Sequence, residues 1–280
     1  MSSNKLKWLA LILMVIDHIG EFVPNAPIIL RWIGRSSAPI FLFCCVWSFE
    51  YTHSKKKYLL RMYIASIVMA FIQSTYDIPN NFFRTLFSIC LLLYLFEICR
   101  TKEKHYYYVT AYVLWQIITI LIPILLGNAD YDVNSGLIIY IIPALLGNLF
   151  NLEGGIIYVL LGIIFYLYKR NNWKLVISFL LFDSLLFFLM TTSIIGMSLG
   201  LIRFKGFHIL YEVLDYMLWL LGIGQMDVGG NPFLENFQWM MIFSLPFLLC
   251  YNHKQGKKQK YFFYFFYPLH IIVLYNLFLI

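Results

Sequence analysis

Long apolar runs separated by short basic clusters restrict this chain more than any other feature of its sequence. The runs cover residues 6 to about 23, 39–47, 58–72, 82–98, 106–126, 155–168, 173–192, 237–251 and 261–280. Extended at their ends, most reach the roughly 20 residues that a helix needs to cross a bilayer. Two further segments, 137–149 and 207–221, are short and flanked by Gly, Pro or acidic residues, which fits re-entrant or interfacial helices lining a protein cavity. Composition agrees: 61% of the residues are hydrophobic and 12% are charged, against about a quarter charged in an average soluble domain. That excludes a water-soluble monomer.

The net charge of +7 does not point to nucleic acid, because the basic residues sit in clusters between apolar runs and not on one face. The clusters are Lys5 and Lys7; Lys55, Lys56, Lys57 and Arg61; Arg100, Lys102 and Lys104; Lys169, Arg170 and Lys174; and Lys254, Lys257, Lys258 and Lys260. They hold sixteen of the 21 lysines and arginines. Positive residues near span ends stay in the cytoplasm, and nine full spans place all sixteen on one side. The expected fold is therefore all-α, a polytopic integral membrane helical bundle. It has about nine full transmembrane helices plus two re-entrant or partial helices, within a range of nine to eleven, and forms one domain over residues 1–280. The expected location is the plasma or inner membrane, with the N-terminus cytoplasmic. The start resembles a signal peptide, but no small-residue cleavage site follows and acidic residues arrive where the cut would fall.

Five cysteines, Cys44, Cys45, Cys90, Cys99 and Cys250, lie in apolar stretches without metal-ligand spacing, so they read as packing residues. Arg31, Arg35, Arg84, Arg203 and Lys205 fall outside the cytoplasmic loops, as do Asp17, Glu21, Asp77, Asp130 and Asp132. Together they predict a charged outer vestibule.

The chemistry is sought in the first span. Lys7 and His18 are eleven positions apart, almost three helical turns, so both project from one face about 16 Å apart along the axis. An ionisable residue within a span faces a cavity or a partner, and histidine is the usual proton carrier near neutral pH. The plainer alternatives are a snorkelling Lys7 and a His18 bonded to a neighbouring helix. Asp17, adjacent to His18, cannot face it; it either acts in catalysis or pairs with a cation, Arg35 being the first choice. Arg35 reads as an oxyanion or cofactor contact, a partner of Asp17, or an interface anchor. His270 is expected to pack in the bundle or to lie on the cofactor side near the inner end of the last span. Asp183 lies in an apolar run and is expected to have a structural partner.

The stretches LKWLALILMVIDHIG (6–20), GRSSAPIFLF (34–43), KYLLR (57–61), FQWMM (237–241), Tyr251 with Asn252, and FYPLH (266–270) occur in the order that resembles the TraX family of conjugal-transfer membrane proteins. The best-known member is implicated in acetylating the N-terminus of pilin, and the family is grouped with transmembrane acyltransferases. In that group a basic or polar residue precedes a histidine by eleven positions, here Lys7 and His18. The resemblance implies an acyltransferase, an acetyltransferase in particular, that takes acyl-CoA from the cytoplasm. Lys7, Arg35 and His270 would be on the cofactor side and His18 and Asp17 in catalysis. The acceptor would be a small molecule, a glycan or a peptide N-terminus, in contact with lipid and without metal; a second copy of the chain is among the partners considered. At NNFFRTL (80–86) Arg84 interrupts the family pattern, so Arg84 and Asn81 are assigned to the acceptor side. A proton-coupled carrier is the competing class, since Asp17, His18 and Asp183 in broken helices also suit one.

Overall fold

The computed structural model describes residues 1–101, 105–129, 136–150, 152–223, 229–257 and 259–278, with helices and no strand among them. Five helical stretches are long and apolar enough to cross a membrane: Ile29–Tyr51, Lys55–Tyr76, Phe82–Thr101, Asn172–Thr191 and Tyr261–Phe278. The expected count of nine is not confirmed among the described residues. Over the residues described, Tyr106–Ile122, Leu137–Leu146, Gly155–Tyr168, Ile194–Phe204 and Phe237–Leu249 are apolar but shorter stretches. The first helix has the length but carries Lys5, Lys7, Asp17 and Glu21.

The chain forms two compact units, residues 1–44 with 160–280, and residues 45–159. In the first, α1 (Ser3–Phe22) is capped by Ser2, whose Oγ accepts from the Lys5 N–H. Leu6, Ala10, Met14, Asp17 and His18 recur at helical spacing and are buried, which gives the helix one inward stripe. Pro24 and Pro27 flank a turn in which Asn25 takes a left-handed conformation, φ 58°, one that Asn tolerates. The chain then folds back as α2 (Ile29–Gly34), packed on α1, and continues into α3 (Ser37–Tyr51).

The second unit is built on α4 (Lys55–Tyr76) packed against α5 (Phe82–Thr101), with Lys55 Nζ donating to Glu97 Oε1 at 3.0 Å. Next come α6 (His105–Ala129), a π turn (Leu137–Ile141) and α7 (Ile142–Leu146). The expected partial helix at 137–149 is thus a π turn plus five α-helical residues, closed by Gly147 at φ 65°. The Cys45 and Cys90 sulfurs, both buried, lie 3.3 Å apart. Cys44 is buried too, whereas Cys250 is exposed.

From α8 (Gly155–Tyr168) the chain reaches the remaining elements of the first unit, α9 (Asn172–Thr191), α10 (Ile194–Phe204) and α11 (His208–Leu220). A 3₁₀ helix (Phe237–Ser244), α12 (Leu245–Leu249) and α13 (Lys260–Phe278) follow. The segment expected at 207–221 is α11; it pairs with α10, which the run pattern did not reveal and none of whose residues is buried. The chain start is fastened to a late loop: Ser3 N–H donates to Lys254 O (2.8 Å), Asn4 N–H to Gln255 O (3.1 Å) and Asn252 N–H to Met1 O (2.9 Å).

Two glycines allow α2 to lie so close to α1. A Cβ at Gly34 would fall 2.6 Å from the Asp17 Cα, and one at Gly20 would meet Leu30 and Arg31 side chains at 3.0–3.2 Å. Gly34→Ala is therefore expected to cost ~1–3 kcal/mol of stability through overpacking, read as a lower melting temperature of the purified protein. Gly196→Ala in α10, with nothing within 4 Å of the added carbon, should leave the melt unchanged or raise it slightly.

Candidate functional site

Asp17 and Glu21 are four residues apart on α1 and so share a face. Across from them, α2 supplies Arg31, whose Nη1 donates to Glu21 Oε2 at 2.6 Å and to the Asp17 backbone carbonyl at 3.1 Å, and lies 3.3 Å from Asp17 Oδ2. Arg35, just past the end of α2, donates from Nη2 to the same Asp17 oxygen. Its Nη1 reaches Gln238 Oε1 at 3.2 Å, and its guanidinium carbon stands 5.6 Å from the centre of the Phe237 ring. Two carboxylates thus meet two guanidiniums, and the cluster carries no surplus charge. The pairing of Asp17 with Arg35 follows the expectation for a buried charge; Gln238 was not foreseen, although it lies within FQWMM.

Next to Asp17, His18 is turned about 100° around the helix axis, toward α13. It is buried, 3% exposed, and its Nδ1 lies 2.7 Å from His270 Nε2, with the two rings within 1° of parallel. His270 sits midway along α13, at the level of His18, and not toward one end. Its Nδ1 lies 3.0 Å from the Phe266 carbonyl. A carbonyl can only accept, so in the neutral pair the proton is assigned to His270 Nδ1, and His270 Nε2 is the acceptor for a proton on His18 Nδ1. The lone pair of His18 is then on Nε2. Phe22 and Tyr267 stand edge-on to the His18 ring at 6.0 and 6.4 Å.

Lys7 is half-buried on the same unbroken helix as His18. Near it, Trp8 stacks on Phe262 of α13 at 4.9 Å and donates to Gln259 Oε1 at 2.9 Å. Asp17, His18 and Glu21 each bring a possible metal-ligand atom within 4.8 Å of the others; Asp17 Oδ2 and Glu21 Oε2 face the arginines and His18 Nδ1 faces His270.

Asn81 and Arg84 belong to the second unit, at the start of α5. Asn81 Oδ1 accepts from the Arg84 N–H, and its Nδ2 donates to Gln73 Oε1 and Ser66 O. Asp77 accepts from the Tyr140 hydroxyl at 2.9 Å. Asp130 and Asp132 of the expected vestibule, with Lys102, Lys104 and Lys258 of the basic clusters, lie outside the described residues. Arg203, in the last turn of α10, and Lys205, just past it, are exposed. The partner expected for Asp183 is not found among the described residues: it is buried in α9, and its Oδ1 has no hydrogen-bond partner there.

The stretches at 6–20, 34–43, 237–241 and 266–270 are remote in sequence and meet within the first unit. A family model described as TraX protein matches residues 2–278. No match to a curated protein or to a solved structure was found. With the match covering nearly the whole chain, and the stretches that resemble the family gathered around Asp17 and His18, this protein belongs to the TraX family.

Proposed function

We propose that this protein is a membrane acyltransferase that moves an acyl group, an acetyl group in particular, from cytoplasmic acyl-CoA to an amine or hydroxyl acceptor at the outer side. The observation that carries the reading is the His18–His270 hydrogen bond. It holds one imidazole by its Nδ1 and leaves Nε2 with the lone pair, the arrangement of an oriented general base. Membership of a family associated with pilin acetylation supports the reaction class. The basic clusters support the orientation.

In the reaction, the acceptor nitrogen or oxygen attacks the thioester carbonyl carbon while His18 Nε2 takes its proton. The C–S bond then breaks, and the imidazolium returns the proton to the departing thiolate, giving acylated acceptor and free CoA. Lys7, about 16 Å back along α1, is placed to hold the phosphates of the donor by charge. Asp17 and Arg35 act through position: their ion cluster sets how α2 lies against α1 beside the base.

With radiolabelled acetyl-CoA and protein reconstituted in liposomes, His18→Ala is expected to lower CoA release ~10²–10⁴-fold. His253→Ala, in an exposed loop, should leave it unchanged. His270→Ala should cost ~10–100-fold as the loss of an orienting partner, and His270→Gln, which keeps an acceptor for His18 Nδ1, should recover part of the rate. Equal activity of His18→Ala and the parent protein would overturn the proposal.

Because His18 is buried, substrate reaches Nε2 only when packing around it opens. A short cross-linker between Trp8→Cys and Phe262→Cys, which closes the seam of α1 and α13, should stop turnover until it is cleaved.

A proton-coupled carrier is the second reading, favoured by one observation: the Asp183 carboxyl, buried in a span-length helix with no partner among the described residues. Solute uptake lost in Asp183→Asn, with no thioester consumed, would support it.

A further inference from the structure

We propose that the start of α5 is a binding site for an oxyanion, a carboxylate or a phosphate group, with Arg84 as its cation. Arg84 is 3% exposed. Its Nη2 donates to three oxygens of one turn: Phe150 O at 2.5 Å, Asn148 Oδ1 at 3.3 Å and Asn148 O at 3.4 Å. All three are neutral acceptors. The Nε is buried without a hydrogen-bond partner, and Nη1 donates to no described residue. No carboxylate of the described residues lies within ion-pair distance of it, in contrast to Arg31, Arg35 and Lys55, which pair with Asp17, Glu21 and Glu97. A guanidinium withdrawn from water and matched only by carbonyl dipoles keeps its full charge uncompensated, which is costly in a protein interior and more so at membrane depth.

The surroundings are built to hold that charge in place. Asn148 is anchored by donating from Nδ2 to Thr119 Oγ1 at 3.1 Å and to the Thr119 carbonyl at 3.2 Å. Gln116 Oε1 accepts from the Leu149 N–H at 2.9 Å. Beside Arg84, the Thr85 hydroxyl donates to the Glu153 carbonyl at 2.8 Å. The guanidinium is thus clamped by one nitrogen while its other N–H groups are left over, and the positive end of a 20-residue helix adds to the same field. An arginine that only tied the turn to α5 would need no such surplus; a neutral amide donor would do it without the burial of charge. A planar or tetrahedral oxyanion uses the remaining donors and cancels the charge.

Two sources share this chemistry, an anionic group on a soluble molecule and a lipid phosphate. The full-length protein, purified in detergent and stripped of lipid, is melted with inorganic phosphate or acetate against chloride at equal ionic strength. In a second arm, protein from phosphatidylglycerol nanodiscs is released into mild detergent and weighed by native mass spectrometry for retained lipid. A rise of a few degrees with phosphate or acetate, absent in Arg84→Gln, identifies a soluble anion; retention of phosphatidylglycerol lost in Arg84→Gln identifies a headgroup. If Arg84→Gln fails to fold, Arg84→Lys serves, which keeps the charge, loses the fork and should show a weakened response. Wild-type protein that answers to neither arm, or variants that answer as the wild type does, would overturn the proposal. The site stands apart from the acyl-transfer reading: its failure leaves the His18 result untouched, and an inactive His18 leaves this one untouched.

Discussion

A carboxylate removed from water needs cations within reach, and Asp17 has two, one on a helix only six residues long and one just past its end. Without that hold α2 would have little to keep it in place, since a helix so short is not stable on its own. The arginines set the register of α2 on α1, and the missing side chains of Gly20 and Gly34 let the backbones close to the distance the ion pairs require. Arg35 then carries the constraint onward through Gln238 to the 3₁₀ helix. One polar cluster thereby joins the first helix to a segment more than two hundred residues later. The next residue of the same stretch of α1, His18, is presented to α13, so the ion cluster and the imidazole pair hold the helix through adjacent positions.

The helical class was legible because an apolar run is a local signal that needs no partner. The inward stripe of α1, with His18 on it, followed from 3.6-residue periodicity alone. The partner of Asp17 was legible for a different reason: a buried carboxylate is normally paired, and few cations outside the basic clusters were candidates. Segment lengths were less readable. Hydropathy does not distinguish fourteen helical residues from twenty when the apolar run continues into a turn, and the 3₁₀ and π segments of Phe237–Ser244 and Leu137–Ile141 depend on tertiary packing. The contact of His18 with His270 was out of reach, because no pattern within either helix registers a neighbour 252 positions away. Gly34 was missed likewise: only the approach of another backbone shows why it must lack a side chain.

The second unit handles polarity in another way. Gln73, Asn81, Gln116 and Asn148 are buried and spend their amides on backbone carbonyls, on one another and on the turn at 147–150. Such amides cost little once each donor and acceptor is matched. They also allow a short, irregular segment to exist among helices, since its carbonyls find donors that lipid cannot provide. Against that saturated background Arg84 stands out in the second unit, as Asp183 does in the first.

The hydrogen bonds between the first residues and the loop at 250–255, with the imidazole pair of α1 and α13, bear on biogenesis. α1 leaves the ribosome well before α13, so until the later helix arrives the donor on the His18 imidazole lacks the acceptor that the folded structure gives it. A chain cut short ahead of α13 would keep that defect in its earlier helix. Assembly of the first unit thus waits on a residue made 252 positions downstream.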